Sequence, residues 1–272
     1  FIISSWNKGP QQIPEFFQIN PQGQPLQDVT RLGITSHHLP TALPFIGNFY
    51  NRLRASSVAR ETFVVVGPDH FEQCSGVATT SDMAYKTPYG TLPTNHELVV
   101  ELSQLSSVNL ENECLDHEHS IGVHAAFIKY LYPNAKIVAL TLSADTPDAV
   151  LQEIASFLSE EIENITIIGS IDFSHYQNTT QANLLDDVSQ QIILSMDASG
   201  IKLIHADSPP SVKLLVETAK KSGFLQPRVF ERANSADFTG NRDNTTGYLN
   251  VVFVKSAAFV SYTAQRSADQ TH

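Results

Sequence analysis

Short apolar runs alternate along this chain with stretches of helical periodicity. Thr62–Val66 (TFVVV) is apolar at consecutive positions and rich in β-branched residues, the pattern of a strand covered on both faces. Lys136–Leu142, Ile165–Ser170 (ITIIGS) and Tyr248–Val254 (YLNVVFV) read the same way, and Arg31–Thr35 reads as a shorter strand. Between them, Val150, Ile154, Leu158 and Ile162 recur every fourth residue, which predicts a helix with one buried stripe, opened by Thr146-Pro147. Ser208-Pro-Pro opens another helix, with Leu214, Leu215 and Ala219 on its apolar face and Gly223 at its end. Asn95–Leu105, Ile121–Tyr132 and Leu184–Met196 complete the predicted helices.

Strand–helix alternation of this kind predicts a single α/β domain, with a mostly parallel or mixed central sheet and helices on both faces. The domain is expected over residues 31–263. Residues 1–30, rich in Pro, Gln and Asn, read as an irregular N-terminal segment, and 264–272 as a polar tail.

Charge narrows the partners. The formal net charge is −11, from 28 acidic and 17 basic residues. That lacks the cationic footprint that duplex nucleic acid demands, and an anionic membrane surface is disfavoured for the same reason. No apolar run is long enough to span a bilayer. The two cysteines, Cys74 and Cys114, are too few for a disulfide framework, and whether they pair is open at this stage. The chain opens on Phe1 rather than Met, so loss of a preceding segment is expected. The expected compartment is the cytoplasm, or an extracytoplasmic one if the lost segment was a leader.

The ten histidines carry the candidate chemistry through their placement. His37 and His38 follow the first strand. His70 follows TFVVV, and His175 follows ITIIGS in Ser170-Ile-Asp-Phe-Ser-His175. Open parallel sheets bind ligands beyond the carboxyl ends of their strands, so His37, His70 and His175 are expected at one rim. Imidazole suits a transition-metal site and exchanges protons near neutrality. Asp172 is close enough in sequence to orient His175 or to bind beside it. His117, His119 and His124 cluster around a helix start, and His124 fits equally well in the interior. His38, His96, His205 and His272 read as surface or hydrogen-bonding residues. Dinucleotide, P-loop and serine-hydrolase signatures are missing from the sequence, and the zincin motif fails because Ile121 stands where its second His belongs.

These residues also carry a resemblance. Ile34-Thr-Ser-His37-His-Leu-Pro, Val66-Gly-Pro-Asp-His70, Thr87-Pro-Tyr-Gly90, Asp116-His-Glu-His-Ser-Ile121, Ser170-Ile-Asp-Phe-Ser-His-Tyr176 and Ala233-Asn-Ser-Ala-Asp-Phe-Thr-Gly240 follow one another at compatible spacing. In that order they are similar to the motifs of the Memo family, AmmeMemoRadiSam system protein B in prokaryotes, across residues 31–254. The resemblance implies a fold akin to class III extradiol ring-cleaving dioxygenases, which hold non-haem Fe(II) on two His and a carboxylate. It implies His37 and His70 as metal ligands, His119 and His124 as the two His of the family's EHSxExH motif, and Asp172, His175 and His119 as the reacting groups.

Departures accompany the match: Leu39-Pro40, Gly122 and Ala125-Ala126 replace family residues. Where some relatives place a ligating Cys, Asp237 is the nearest residue able to ligate, and it is the expected third metal ligand. The expected cofactor is a divalent transition metal, Fe(II) first, with Cu or Zn as alternatives. The resemblance further implies a metal-dependent oxidoreductase, or else a non-catalytic metal-, peptide- or small-molecule-binding protein; a metal-assisted hydrolase is the third alternative. A pathway shared with radical-SAM and AMMECR-type proteins is also implied.

Overall fold

The structure, a computed structural model, describes residues 9–21, 28–56 and 58–255, together with the backbone of Ile2–Ile3. In chain order the strands are β1 (Ile2–Ile3), β2 (Thr30–Thr35), β3 (Thr62–Pro68), β4 (Ala78–Ser81), β5 (Tyr85–Thr87), β6 (Gly90–Leu92), β7 (Asn109–Leu110), β8 (Lys136–Leu142), β9 (Ile165–Ser170), β10 (His175–Gln177), β11 (Gln226–Asn234) and β12 (Thr245–Val254). The helices are α1 (Ile13–Ile19), α2 (Leu43–Ala55), α3 (His96–Ser103), α4 (His119–Leu131), α5 (Asp148–Glu160), α6 (Thr179–Ser195), α7 (Pro209–Ser222) and α8 (Ser235–Thr239).

A mixed nine-stranded sheet runs β10-β12-β2-β9-β3-β8-β4-β7, with β11 paired to β12, and β1-β5-β6 form a small separate sheet. Its centre is parallel: β2 pairs with β9, β9 with β3, and β3 with β8. The flanks turn antiparallel through β12 and β4. In the parallel centre Thr35 stands opposite Ser170 and Val66 opposite Gly169, so the carboxyl ends of β2, β9 and β3 finish side by side.

Strand alternation divides the interior into two cores. Leu32, Ile34, Val64, Val66, Val138 and Leu140 point to one face, where α3, α5 and α7 cover them. Phe63, Val65, Ile137, Ala139 and Ile168 point to the other, under α1, α2 and α4. Hence each central strand is apolar at every position, the pattern that marked it in the sequence.

Two differences from expectation stand out. Pro10–Ile19, within the segment expected to be irregular, is helical and buries Ile13, Phe16 and Phe17. No helix was expected at Leu43–Ala55, yet Phe45, Ile46, Phe49, Tyr50 and Leu53 form a buried stripe there. Pro44, one of its first residues, starts the helix, since a missing N–H costs nothing in the first turn. The expected polar tail at 264–272 lies outside the described residues. Among the described residues, no helix is long and apolar enough to cross a membrane.

Candidate metal centre

The site forms where β2, β3 and β9 end. His37 follows β2 and is 2% exposed. Its Nδ1 lies 3.0 Å from Ser170 Oγ at the end of β9. That hydroxyl donates its one proton to the Ser120 carbonyl at 2.6 Å. It can therefore only accept from His37, so the ring proton sits on Nδ1 and the Nε2 lone pair faces away from Ser170. Nε2 meets two carboxylates, Asp207 Oδ2 at 3.3 Å and Asp172 Oδ2 at 3.6 Å.

His70 repeats this arrangement from β3. Its Nδ1 lies 2.8 Å from Glu118 Oε1, and its backbone N–H donates to Glu118 Oε2 at 2.9 Å. Burial opposes the charged Glu118 carboxylate, yet the hydrogen bonds from His70 and Ser120 prevail and lower its pKa to about 2. Ionised Glu118 accepts only, so His70 donates from Nδ1 and aims Nε2 at Asp207 Oδ2, 3.7 Å away. Close approach of α4 to β3 makes this possible. A side chain at Gly67 would place its Cβ 2.4 Å from Ser120 Oγ.

His119, the first residue of α4, stacks on His70 with ring centroids 4.2 Å apart and meets His37 edge-on at 5.2 Å. Asp172 and Asp207 clasp each other through the backbone: the Asp207 N–H donates to Asp172 O at 3.0 Å, and the Asp172 N–H to Asp207 Oδ2 at 3.2 Å. Asp172 Oδ1 accepts the His37 N–H at 3.3 Å, so this carboxylate engages His37. The Asp172 turn is held from beneath by buried Asp186, whose Oδ1 accepts the Ser174 N–H at 3.0 Å. Gly247 leaves room for that carboxylate, since a Cβ there would fall 2.0 Å from Asp186 Oδ2.

Electrostatics sharpen the cluster. Burial first, then the charges of His70 and His119, drive the His37 pKa well below 6.5. For His70 burial pulls downward, but hydrogen bonds to Asp207 and Glu118 outweigh it and raise the value to about 10. Burial, reinforced by Asp172, lifts Asp207 to about 6 despite the opposing pull of His70. His119 is lowered by burial and then by His70.

These groups fit a cation. Neutral His37 points a lone pair at two carboxylates, a repulsive arrangement unless something positive lies between them. Buried Asp207 Oδ1 has no hydrogen-bond partner among the described residues. Ligand atoms held about 2.1 Å from one ion stand roughly 3–3.5 Å apart, close to the 3.3 and 3.7 Å separations at Asp207 Oδ2. Two triads, His37-His70-His119 and His37-Asp172-Asp207, each bring ligand atoms within 4.8 Å of one another. Ser170 and Glu118 supply the outer hydrogen bonds that fix the ring orientations of such ligands.

A cavity of about 310 Å³ opens over the cluster, with His38, His175, Tyr176 and Thr246 among its walls. His175 starts β10 and faces this space. Tyr176, at φ 58°, is 81% exposed on the rim. His38, expected at the surface, is half-buried here, its Nδ1 2.6 Å from the Tyr248 hydroxyl. On the other side of His70 and Asp207 lies a second cleft of about 420 Å³.

The remaining expected residues lie elsewhere. His124 is buried, with Nδ1 against the Tyr50 hydroxyl at 3.1 Å, and His96, His117 and His205 are exposed. Asp237, the expected third ligand, is in neither triad. Its exposed carboxylate accepts the Asn234 N–H at 2.8 Å and caps α8. The carboxylate that joins His37 and His70 is instead Asp207, which sequence reasoning passed over. It lies in His205-Ala-Asp-Ser-Pro-Pro, where Ser208 announces a helix start, and the bridge between Ala206 and Phe173, with the Asp172 N–H on Asp207 Oδ2, carries it to the site. Glu118 and Ser170 were also missed as orienting groups.

Comparisons with known proteins bear on the family and the fold. The chain is 28% identical over 205 residues to a MEMO1 family protein of Pyrobaculum aerophilum, covering 72% of this chain and 73% of the relative. It is 27% identical over 257 residues to a MEMO1 family protein of Sulfolobus acidocaldarius, covering 90% and 88%. An uncharacterized protein of Escherichia coli K12 shares the fold, with a TM-score of 0.52 and 16% identity over 83% of this chain and all of that one. The family model described as Memo-like protein matches residues 8–252, and the chain belongs to the Memo family.

Proposed function

We propose that this protein is a metal-dependent oxidoreductase of dioxygenase type, holding a divalent transition metal, Fe(II) first, on His37, His70 and Asp207. The observation that carries the reading is the His37 ring. Its Nδ1 proton is committed to Ser170, and its Nε2 lone pair faces Asp207 and Asp172 inside the protein. Two imidazoles and one carboxylate are the donor set of non-haem Fe(II) oxygenases, and such a metal supplies adjacent open positions for a substrate and O₂. Cu and Zn fit the same nitrogen-rich donors as second choices.

The chain's own residues supply the rest. Ser170 and Glu118 hold the two rings by their Nδ1 atoms. Asp172 fixes the His37 backbone by accepting its N–H. His175, on the cavity wall and tied to β12 through its pairing with Thr246, is placed to take and return a substrate proton. His119, its pKa lowered by burial and then by His70, stacks on His70 beside the metal position and is the second group placed to exchange a proton with a substrate. Tyr176 and Phe71, both exposed beside the cluster, offer apolar faces to an organic substrate.

Elemental analysis of protein purified without a His tag, compared with His37→Ala and Asp207→Ala, tests the reading. About one Fe per chain is expected in the native protein after anaerobic iron loading, with oxygen uptake on adding catechols, and almost none in either variant. Metal without oxygen uptake would move the assignment to a binding protein, and hydrolysis without oxygen uptake to a metal-assisted hydrolase. Equal metal in native and variant proteins would refute the site.

A further inference from the structure

The segments that carry His70 and Glu118 are joined twice. One joint is the buried pairing of Glu118 with the ring and amide of His70. The other is covalent, a disulfide between Cys74 and Cys114 with Cα atoms 5.0 Å apart. Cys74 follows His70 by four positions, and Cys114 precedes Glu118 by four, so the two joints bracket the same pair of segments.

Between the joints, neither segment is part of a long helix or a sheet. After His70 the chain turns through Glu72 at φ 50°, in the left-handed region that a non-glycine residue adopts at a cost. The Asp69 carboxylate caps this turn, accepting the N–H groups of Gln73 and Cys74 at 3.3 and 3.0 Å. Cys114 sits in the short 3₁₀ turn Glu113–Leu115, and the Glu118 N–H donates back to Leu115 O at 3.2 Å. A strained turn and a single 3₁₀ turn hold little stability of their own, so the covalent link restrains both. It is also reachable. Half-buried Cys74 lines the 420 Å³ cleft that contains His70 and Asp207.

We propose that the Cys74–Cys114 bridge is a redox control on the metal centre. Closed, it keeps Glu118 against His70; opened, it frees the His70 turn and weakens metal binding. The proposal rests on the metal reading above. In the opening step a thiolate of a dithiol attacks one cysteine sulfur and breaks the S–S bond, giving a mixed disulfide. The second thiol of the reagent then displaces the protein sulfur. Two electrons pass to the protein, which ends with two cysteine thiols, and the dithiol ends as its cyclic disulfide. Losing an orienting partner of a metal-binding His typically costs 10–100-fold in affinity, the range expected on opening.

The test compares bridged protein with dithiothreitol-reduced, iodoacetamide-capped and desalted protein, and with the Cys74→Ser/Cys114→Ser double variant. Capping and serine both remove thiolates that could bind metal themselves. Each form is titrated anaerobically with Co(II), followed by its absorption bands, and amide exchange at His70 and Ser120 is measured without metal. We expect Co(II) to bind at least tenfold more weakly, and both amides to exchange at least tenfold faster, in the two opened forms. Reoxidation of uncapped reduced protein should restore both. Affinities within twofold and unchanged exchange would overturn the proposal, leaving the bridge a plain cross-link. Loss of the far-ultraviolet circular dichroism of the fold on reduction would also overturn it, because a control must act on a folded protein. Bridged protein that takes up no Co(II) would refute the metal reading instead, and the exchange rates would still decide whether the bridge governs the His70–Glu118 pairing.

Discussion

Glu118 holds His70 at two points, accepting its backbone N–H at 2.9 Å and standing 2.8 Å from its ring Nδ1. The pH dependence of this pair can be worked out by sign. His70 is raised from 6.5 to about 10, so its share of stability is whole below pH 6.5 and is lost as pH climbs toward 10. Glu118 is lowered from 4.5 to about 2, so its share is whole above pH 4.5 and is lost as pH falls toward 2. Metal-free native protein should exceed Glu118→Gln in stability most between pH 4.5 and 6.5, by about 3 kcal/mol, the scale of a broken buried pair. Urea unfolding of both proteins across pH 4–9 measures the gap; a gap that stays constant across that range would contradict the assignment.

Metal uptake should release a proton. With His70 raised to about 10, its imidazole is protonated at neutral pH in the metal-free protein, and a metal must displace that proton. The logarithm of the Co(II) association constant is expected to rise by about one per pH unit between pH 7 and 9. Calorimetry in buffers of different ionisation enthalpy counts the proton directly. A flat profile would place His70 outside the ligand set.

Asp207→Asn and Asp237→Ala separate two carboxylates that the sequence alone does not rank. Asp207→Asn removes the charge facing both Nε2 atoms and should lower metal affinity by about 10–100-fold or more. Asp237→Ala should cost about 1 kcal/mol through the lost cap on α8 and leave metal affinity within about twofold. Paired metal titrations and melting curves check both, and the opposite ranking would restore Asp237 as a ligand.

Gly67→Ala should couple stability to the site. The added Cβ meets Ser120 Oγ at 2.4 Å and Ser120 Cβ at 2.9 Å, so α4 must move away from β3. A loss of about 1–3 kcal/mol is expected, the usual cost of overpacking, together with weaker metal binding because Glu118 and His119 move with α4. Thermal unfolding and Co(II) titration report the two effects.

His175→Ala should leave bound metal near one per chain and reduce turnover by about 10²–10⁴-fold, the range for a lost acid–base group. Metal analysis and oxygen uptake on one sample make the comparison. Loss of metal in this variant would make His175 a ligand.

The central strands were readable because burial on both faces writes an uninterrupted apolar run. Lys136–Leu142 and Ile165–Ser170 emerge with the bounds their composition predicts. His37 and His70 were readable because strand ends deliver residues to one rim. Asp207 was not. It is far from β2 and β3 in sequence, and the pairing of Ala206 with Phe173 and its clasp with Asp172 bring it in. Asp237 was named instead, since a carboxylate that caps a helix and one that faces two imidazoles are the same letter. Helix α2 was legible in principle, from its stripe of Phe45, Phe49 and Leu53 behind Pro44, yet it was not among the expected helices. The pairing of the two cysteines depends on how the turns after β3 and before α4 meet in space, which their separation of 40 residues does not reveal.

The alignment of Thr35 with Ser170 limits how this protein can diversify. Parallel pairing offers no half-steps: sliding one strand by a single residue would send the Ser170 hydroxyl to the far side of the sheet and leave the His37 ring without its anchor. Insertions and deletions near the rim must therefore be absorbed in the turns after β3, after β9 and before α7. New specificities would arise there, above a platform that does not move.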